Sequence, residues 1–344
     1  MNFCSDNASG AAPEILRALE AASRGTAMPY GNDDLTRRVE ARLSEVFETE
    51  AAVLLVATGT AANALVLSVM TPPYGAVYCH EEAHIQVDEC GAPEFYSGGA
   101  KLVPIAGADG KITAGDLERT ITGVGFVHAV QPAAVSLTQA TEAGTVYTPE
   151  ETAAIAEVAR RHGLGLHVDG ARFANAVATL GCSPAEATWK AGVDALSFGA
   201  TKNGALAAEA VVAFKPELAE TLGYRRKRGG HLFSKMRFLA AQWDAYLDGD
   251  LWLDLARHAN AMAARLAAGL CTLPGAALLH PVEANEIFAR LPAAVIEGLL
   301  AEGFAFYRWG PEEACEVRLV TAFNTDPADV DAFLAAARRL SDGG

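Results

Sequence analysis

The sequence predicts an α/β fold in which helices cover both faces of a mostly parallel β-sheet, followed by a small α+β domain. Short apolar runs alternate with helical periodicity through most of the chain, which is typical of parallel strands buried on both faces. Near residue 250 this alternation gives way to the helical pattern RHANAMAARLAAGL and then to the strand-like runs ANEIFARL and EVRLVTAF. We therefore expect an N-terminal arm and large domain over residues 1–248 and a small C-terminal domain over residues 249–344.

The large domain opens on the polar arm MNFCSDNASGAAP, and Pro13 then begins the helical pattern PEILRALEAA. A second helix is predicted in NDDLTRRVEARLSEVFE, where the apolar residues share one face. The predicted strands are, in order, AAVLLV, GAVYC, AKLVPI, GFVHAV, AAVSLTQ, LGLHVDG, DALSFGA and EAVVAF. A basic segment, YRRKRGGHLFSKMRFLAAQWDAYL, leads into a long helix. Because ligands of such sheets bind at the carboxyl ends of the strands, polar side chains there are the candidate site.

The composition excludes some classes of function. With 27 basic and 42 acidic residues among 344, the chain carries a net charge of −15, which argues against nucleic-acid binding. The six cysteines lack C-x-x-C spacing and the N-terminus does not resemble a signal peptide, so we expect a cytoplasmic protein with reduced thiols. Residues 51–79 contain no charged side chain, but ATGTAAN and TPPYG divide them, which favours a buried strand, turn and helix over a membrane span.

Two strand ends carry an acid and an amine. The strand LGLHVDG contains Asp169 near its end, and ALSFGATKNG places Lys202 just after the next predicted strand. Burial disfavours the ammonium form of a lysine, and the neutral amine can form a Schiff base. A carboxylate facing a pyridine nitrogen keeps that nitrogen protonated, as pyridoxal 5'-phosphate (PLP) requires to withdraw electrons. The pair therefore indicates a PLP site, although a plain Asp–Lys ion pair explains the spacing equally well.

The segment VATGTAAN predicts a turn between a strand and a helix at Thr58, Gly59 and Thr60. Backbone N–H groups and the helix dipole at such a turn attract an anion, and the two hydroxyl groups add donors. The segment lacks G-K-[ST], so it does not indicate a nucleoside triphosphate. This segment can thus hold the cofactor phosphate, but the pattern is also typical of any strand-to-helix turn.

The run HEEAH, from His80 to His84, formally matches the H-E-x-x-H pattern of zinc hydrolases. That chemistry needs both histidines one turn apart on a helix and a third ligand from elsewhere. Here His80 directly follows the predicted strand GAVYC, which leaves no room for a helix before it. A zinc hydrolase is therefore a remote alternative, and His84 can instead stack on an aromatic cofactor or be a structural histidine.

Two arginines are candidate clamps for a carboxylate. Arg172 lies three residues past Asp169, and Arg318 lies inside the apolar run EVRLVTAF. An amino-acid substrate would supply the carboxylate, while an internal salt bridge explains Arg318 about as well. The basic run at residues 225–228 is a solvated face or supports a phosphate across a subunit contact.

The chain resembles the low-specificity L-threonine aldolase family, PLP enzymes of fold type I, the aspartate aminotransferase fold. The motifs that carry this resemblance are CSDN, PYGNDDLTRRVE, ATGTAAN, AHIQVDECGA, TQATEAGTVYTPEE, HVDGARFANA, SFGATKNG and EVRLVTAF. The segment LGCSPAEATWKAGVDALSFGATKNG is most similar to the L-phenylserine aldolase branch of this family. The resemblance implies cleavage of a β-hydroxy-α-L-amino acid, such as threonine, allo-threonine or phenylserine, to glycine and an aldehyde. It also implies a homodimer or homotetramer with active sites at the subunit interface.

The resemblance also implies roles for individual residues. Lys202 matches the Schiff-base lysine, Asp169 the partner of the pyridine nitrogen, and His84 the histidine that stacks on the ring. The remaining matches are Thr58, Gly59 and Thr60 at the phosphate, Ser5, Arg172 and Arg318 around the substrate carboxylate, and Lys227 near the neighbouring subunit's site. Arg172 and Lys227 also count among the cofactor contacts, and Tyr30 is a candidate for the aldehyde pocket or for core packing.

Two motifs depart from the family. TQATE replaces a histidine-containing segment and puts Gln139 at the position of the histidine near the substrate hydroxyl, and GGHLFSK replaces GGGMR. The preference at Cβ therefore stays open. In the expected reaction the substrate amine displaces Lys202 from the cofactor, and Arg318 holds the substrate carboxylate in place. His84 takes the proton of the β-hydroxyl directly or through a water. The alternatives are another PLP reaction, such as β-elimination or transamination, the zinc hydrolase, and a PLP-binding regulator without turnover.

Overall fold

The computed structural model describes residues 1–342, and two β-sheets organise it. The strands are β1 (Ala52–Val56), β2 (Gly75–His80), β3 (Lys101–Ile105), β4 (Gln131–Thr138), β5 (Gly165–Gly170), β6 (Ala195–Gly199), β7 (Glu209–Ala213), β8 (Ala277–Leu278), β9 (Glu286–Arg290), β10 (Tyr307–Trp309) and β11 (Glu316–Val320). Seven of them form one sheet in the order β1-β7-β6-β5-β4-β2-β3, and four form a second in the order β10-β11-β9-β8.

The helices pack around these sheets. They are α1 (Pro13–Ala22), α2 (Asp34–Val46), α3 (Gly59–Met70), α4 (His84–Val87), α5 (Ala92–Ser97), α6 (Ala114–Thr120), α7 (Pro149–Arg161), α8 (Phe173–Leu180), α9 (Ala219–Arg228), α10 (Arg237–Tyr246), α11 (Leu251–Leu270), α12 (Ala293–Ala301) and α13 (Pro327–Asp342). Between residues 1 and 342, no helix combines the length and the apolar character needed to cross a membrane.

The larger sheet is mostly parallel, as the sequence predicts. Strands β6, β5, β4, β2 and β3 run parallel to one another, while β7 is antiparallel to both β1 and β6. In the register of the central strands, Thr138 pairs with Asp169, and Asp169 pairs with Ser197. The ends of β4, β5 and β6 therefore meet at one edge, where the loops that follow them build a common site.

Local sequence explains several element boundaries. Thr148 caps α7 in a capping box with Glu151, and Asp33 caps α2 by accepting a hydrogen bond from the Thr36 N–H. Thr58 caps α3 in the same way, with its hydroxyl accepting from the Ala61 N–H. Such caps fix where a helix begins, so the first turn of α3 has a defined position at the edge of the sheet.

The apolar runs become strands, with one exception. GFVHAV was expected to be a strand, but residues 125–130 form turns that lead into β4. Gly123 and Gly125 both have positive φ angles, +72° and +73°, which an extended strand cannot contain. As a result Val127 is 89% exposed rather than buried in the sheet. The basic segment also differs from its prediction, because α9 and α10 are two ten-residue helices with a break between them.

The main core lies between the large sheet and its helices, and aromatic side chains fill its centre. Phe198 of β6 contacts Phe173, Trp243 and Trp252, with ring centroids 4.9 to 5.6 Å apart. A second cluster packs against the four-stranded sheet, and there Phe3 of the N-terminal arm packs edge-on against Phe333 at 5.3 Å. The arm thus joins the smaller sheet, and the expected domain division after residue 248 stays a prediction.

Candidate active site

A cavity opens at the carboxyl edge of the large sheet, between the start of α3 and the loops that follow β4, β5 and β6. Seven of the residues predicted from sequence line it: Thr58, Gly59, Thr60, His84, Asp169, Arg172 and Lys202. Four others do not line it, namely Ser5, Tyr30, Lys227 and Arg318. The sequence missed further lining residues, among them Asn7, Asn63, Glu89, Glu142, Thr201 and Glu209.

Lys202 lies in a single 3-10 turn, Thr201–Asn203, directly after β6. The side chain of Asn203 anchors this turn, because its amide donates to the Tyr246 hydroxyl at 2.7 Å and to the Trp252 carbonyl at 2.8 Å. The turn is therefore tied to α10 and α11 by buried hydrogen bonds. This anchorage holds the backbone of Lys202 at the cavity wall and leaves its amine free to face the interior.

Asp169 ends a chain of polar contacts across the floor of the cavity. The amide of Asn63 donates to Asp169 Oδ2 at 2.6 Å and to Glu89 Oε1 at 2.9 Å, and the Ala171 N–H donates to Asp169 Oδ1 at 3.0 Å. Nδ1 of His84 contacts the same Glu89 oxygen at 2.9 Å, and this hydrogen bond raises the pKa of His84. Asp169 is thus a buried carboxylate held in one orientation.

Behind Asp169 the sheet contains a neutral histidine. His167 is fully buried, with its ring nitrogens 2.9 Å from the Ser136 hydroxyl and 3.0 Å from the Ser197 hydroxyl. Burial lowers the pKa of His167 to about 4. Because this imidazole carries no charge at neutral pH, it does not form an ion pair with Asp169.

The start of α3 has the features that an anion site requires. Thr58 is the N-cap residue, and no acidic residue occupies the first turn. A Cβ placed on Gly59 would meet no atom within 4 Å, so a ligand can approach this backbone closely. Twelve residues of helix stand behind the site, so backbone N–H groups and the helix dipole both favour a phosphate here.

The two histidines of HEEAH do not form a zinc site. His80 is the last residue of β2, with Nε2 3.0 Å from the Gly107 carbonyl, while His84 begins the short helix α4. They therefore do not share one face of a helix, as the H-E-x-x-H pattern requires. His84, Glu89 and Asp169 bring polar atoms within 4.8 Å of one another, and their hydrogen bonds to each other and to Asn63 account for this approach.

The two arginines predicted to bind a substrate carboxylate already form ion pairs with acidic side chains of the same chain. Arg172 is 5% exposed and contacts Asp6 at 2.7 Å and Glu286 at 3.0 Å, and Arg318 pairs with the other oxygen of Glu286. Glu286 therefore bridges the two guanidinium groups beside the cavity. Ser5 lies nearby, where its hydroxyl accepts a hydrogen bond from the Asn7 N–H.

Tyr30 and Lys227 lie together at a second cavity, formed by residues of the N-terminal region and the α9–α10 break. The ammonium of Lys227 sits 4.8 Å from the centroid of the Tyr30 ring, in a cation–π contact. Within one subunit these two side chains are therefore separate from the cavity that contains Lys202.

Gln139 does not take the place expected for it. Its amide donates to the Tyr147 carbonyl at 2.8 Å and accepts from the Tyr147 N–H at 3.0 Å, so it is a buried structural group. Of the residues that follow β4, Ala140 and Glu142 line the cavity, and Glu142 is the one with a titratable side chain. Burial raises the pKa of Glu142 to about 7, and it does the same for Glu209 on the other side of the cavity.

The residues of this cavity fit PLP. The amine of Lys202 suits its aldehyde, the carboxylate of Asp169 suits the pyridine nitrogen, and the start of α3 suits the phosphate. Asn63 Oδ1 and Glu89 Oε2 are buried in the cavity wall without a hydrogen-bond partner among residues 1–342, and a polar ligand can satisfy them. Fold and site together define a PLP-dependent enzyme of fold type I.

Comparisons with known proteins identify the family. The sequence model of the family described as beta-eliminating lyase matches residues 2–294. Low specificity L-threonine aldolase from Pseudomonas aeruginosa is 46% identical over 324 residues, which cover 94% of this chain and 93% of that protein. The enzyme of the same name from Pseudomonas sp. (strain NCIMB 10558) is 43% identical, over 98% of this chain and 97% of its own. The chain belongs to the β-eliminating lyase family and, within it, groups with the low-specificity L-threonine aldolases.

Solved structures agree with this assignment. The structure of Leishmania major threonine aldolase superposes with a TM-score of 0.92 at 30% identity, over 99% of both chains. Aspartate aminotransferase from Thermus thermophilus superposes with a TM-score of 0.71 at 16% identity, over 96% of this chain and 89% of its own. At 16% identity, the similarity to the aminotransferase supports the fold only. The predicted fold class and the family resemblance are therefore confirmed.

Proposed function

We propose that this protein is a PLP-dependent aldolase that cleaves β-hydroxy-α-L-amino acids to glycine and an aldehyde. One observation carries the proposal: Lys202, Asp169 and the start of α3 share one cavity in a chain 46% identical to an L-threonine aldolase. Bound there, PLP supplies an electron sink for the pair released when a bond to Cα breaks. The rest of the chemistry falls to the residues of the chain.

Asp169 keeps the pyridine nitrogen protonated in this proposal. Its carboxylate has hydrogen bonds from Asn63 and from the Ala171 N–H, which fix its orientation without adding a positive charge. Asn63 also holds Glu89, which in turn contacts His84. The network therefore places the imidazole of His84 relative to Asp169, in keeping with a role for His84 against the face of the ring.

Arg172 and Arg318 hold the substrate carboxylate. The scissile Cα–Cβ bond must stand perpendicular to the ring plane for its electrons to enter the π system, and a fixed carboxylate sets that angle. Arg172 pairs with Asp6 and Glu286, and Arg318 pairs with Glu286. A substrate carboxylate would therefore bind the two arginines alongside these acidic side chains. Ser5 and Asn7 adjoin the same region and belong to the carboxylate site.

The hydroxyl proton needs an acceptor near Cβ. Two groups in the cavity have raised pKa values: burial raises the pKa of Glu142 to about 7, and the hydrogen bond with Glu89 raises the pKa of His84. His84 is the candidate from sequence, and it can act directly or through a water. An acceptor in this position lets the hydroxyl collapse to the aldehyde carbonyl as the Cα–Cβ bond breaks.

The assembly we propose is a homodimer or homotetramer in which each active site lies at a subunit interface. Tyr30 and Lys227 adjoin each other but not the Lys202 cavity of their own subunit, which suits a role toward the cavity of a neighbour. Tyr30 would then belong to the substrate site and Lys227 to the phosphate site. The six cysteines are free thiols, which supports a cytoplasmic protein.

L-Phenylserine joins L-threonine and L-allo-threonine as a proposed substrate, on the similarity of residues 180–204 to the phenylserine aldolase branch. The second candidate function is β-elimination, which the family description favours. The test is incubation of the PLP-loaded protein with each of the three amino acids and with L-serine. Glycine and aldehyde in equal amounts support the aldolase. Pyruvate and ammonia from serine, without glycine from the others, would support the eliminating lyase.

A further inference from the structure

We propose that Glu142 is the catalytic residue that takes the proton of the substrate β-hydroxyl, a role that rests on the proposed aldolase function. The loop that carries it replaces the family's histidine-containing segment, and Gln139, the expected substitute, is occupied elsewhere. Glu142 is the carboxyl group that this loop presents to the cavity.

A hydrogen bond from the backbone of His84 helps to position Glu142. Its Oε1 accepts a hydrogen bond from the His84 backbone N–H at 3.1 Å. It lines the same cavity as Lys202 and Asp169, so it faces the space that a substrate attached near Lys202 would occupy. Glu142 is half-buried and lines that cavity.

Hydrogen bonds anchor the loop that carries Glu142. Gln139 joins it to both backbone groups of Tyr147, and the hydroxyls of Thr141 and Thr145 are 2.7 Å apart. The hydroxyl of Thr145 also contacts the Asp109 carbonyl at 2.6 Å. Three successive anchor points thus surround Glu142, and a catalytic group held in this way needs little reorganisation when the substrate binds.

The electrostatic surroundings suit a base at neutral pH. Burial raises the pKa of Glu142 to about 7, Glu286 and Asp169 add to the rise, and Lys202 and Arg172 oppose it. A base whose pKa lies near the working pH is the most effective, because it is available in the ionised form and still binds a proton. His84 already contacts Glu89 through Nδ1, and this hydrogen bond raises the pKa of His84.

Transfer of the hydroxyl proton to Glu142 accompanies cleavage of the Cα–Cβ bond. The O–H bond of the β-hydroxyl breaks, its proton goes to the Glu142 carboxylate, and its electron pair becomes the second C–O bond of the aldehyde. The electron pair of the Cα–Cβ bond stays with Cα, and PLP held by Lys202 and Asp169 would supply the electron sink for it. When the aldehyde has left, Cα takes up one proton to give glycine, and release of the proton from Glu142 restores the carboxylate.

The test is the variant Glu142→Gln in the PLP-loaded protein. A glutamine oxygen can still accept from the His84 N–H, so the substitution removes the proton acceptor and keeps the anchor. Two reactions are measured: cleavage of L-threonine, and exchange of the Cα hydrogen of glycine with deuterium, which needs no β-hydroxyl. Glu283→Gln is the matched control, because Glu283 accepts from the Val146 N–H of the same loop but lies outside the cavity.

We expect Glu142→Gln to lower kcat for cleavage by about 100-fold or more, while glycine exchange stays within about threefold of wild type. Glu142→Asp, which keeps a carboxylate one methylene shorter, should recover part of the loss. In wild type kcat/KM should rise with pH through about 7, and this limb should be absent from Glu142→Gln. Glu283→Gln should match wild type in both reactions.

Equal loss of cleavage and exchange in Glu142→Gln would overturn the proposal, because a misfolded cavity affects both. Retention of cleavage with an unchanged pH profile would overturn it as well. Measurement of the wild type in parallel distinguishes failure of the role proposed for Glu142 from failure of the proposed aldolase function. A wild-type protein that makes no glycine from any β-hydroxy amino acid refutes the aldolase itself, whereas an active wild type with an active Glu142→Gln refutes only the role of Glu142.

Discussion

Asn63 provides a quantitative test of the carboxylate network beneath the cofactor site. Its amide donates to Asp169 Oδ2 at 2.6 Å and to Glu89 Oε1 at 2.9 Å, and the residue is 1% exposed. The substitution Asn63→Ala removes both donors at once. It leaves two buried carboxylates facing each other with no group between them, although Ala171 still donates to the far oxygen of Asp169.

The magnitude follows from these two bonds. A hydrogen bond to a charged group contributes about 1.5–3 kcal/mol, so the pair accounts for about 3–6 kcal/mol. Water from the cavity can replace part of this, and we therefore expect the lower end, about 3 kcal/mol, as the loss in free energy of unfolding of the PLP-free protein. Because Asp169 is then less firmly oriented toward the ring, we also expect the Kd for PLP to rise by about 10- to 100-fold.

Urea unfolding measures the first quantity, and titration of the PLP-free protein with PLP measures the second. Asn175→Ala is the control, since Asn175 is equally buried but donates to Asn260, outside the cavity. That variant should lose about 1 kcal/mol of stability and bind PLP like wild type. If Asn63→Ala binds PLP as tightly as wild type, or if the control loses affinity to the same extent, the network does not position Asp169.

Three further predictions concern other parts of the account. In the folded protein the pKa of His167 is about 4, and on unfolding it returns to its ordinary value of about 6.5. The unfolded state therefore binds a proton more readily, so the free energy of unfolding should fall as the pH drops from about 6.5 to 4. Urea unfolding midpoints measured over this range should fall less in His167→Asn than in wild type. If sites are shared between subunits, mixing inactive Lys202→Ala with impaired Lys227→Ala protein should restore part of the activity, and no recovery after verified subunit exchange would contradict sharing. Arg318→Ala should raise KM for L-threonine by at least about tenfold, because a charge-assisted carboxylate contact is lost; an unchanged KM in steady-state assays would remove Arg318 from the substrate site.

The strands were predictable because their apolar runs are local signals. The order β1-β7-β6-β5-β4-β2-β3 was not, since it depends on contacts between distant segments. GFVHAV shows the limit of composition alone: its apolar residues are typical of a strand, but the glycines before and within it turn the chain, and Val127 is exposed. The polar character of a loop can be read from sequence, whereas its path cannot.

The same limit applies to the site. Lys202 and Asp169 were found because each lies at or just past the end of a recognisable strand. Asn63 lies inside an apolar helix and Glu89 in a short connection, and only the folded structure shows that they meet at Asp169. Gln139, expected at the position of the family histidine, bonds to Tyr147 and does not line the cavity, whereas Glu142 of the same loop does. The sequence does not show this difference, because which side chain of a loop reaches a cavity depends on how the loop is anchored.

The most direct test of the central claim is borohydride reduction of the PLP-loaded protein, followed by mass mapping of its peptides. We predict that reduction removes the visible absorption band of the bound cofactor and leaves one pyridoxyl adduct, on the peptide that contains Lys202. A band that survives reduction, or an adduct on a different lysine, would contradict the assignment of Lys202 and of the cavity around it.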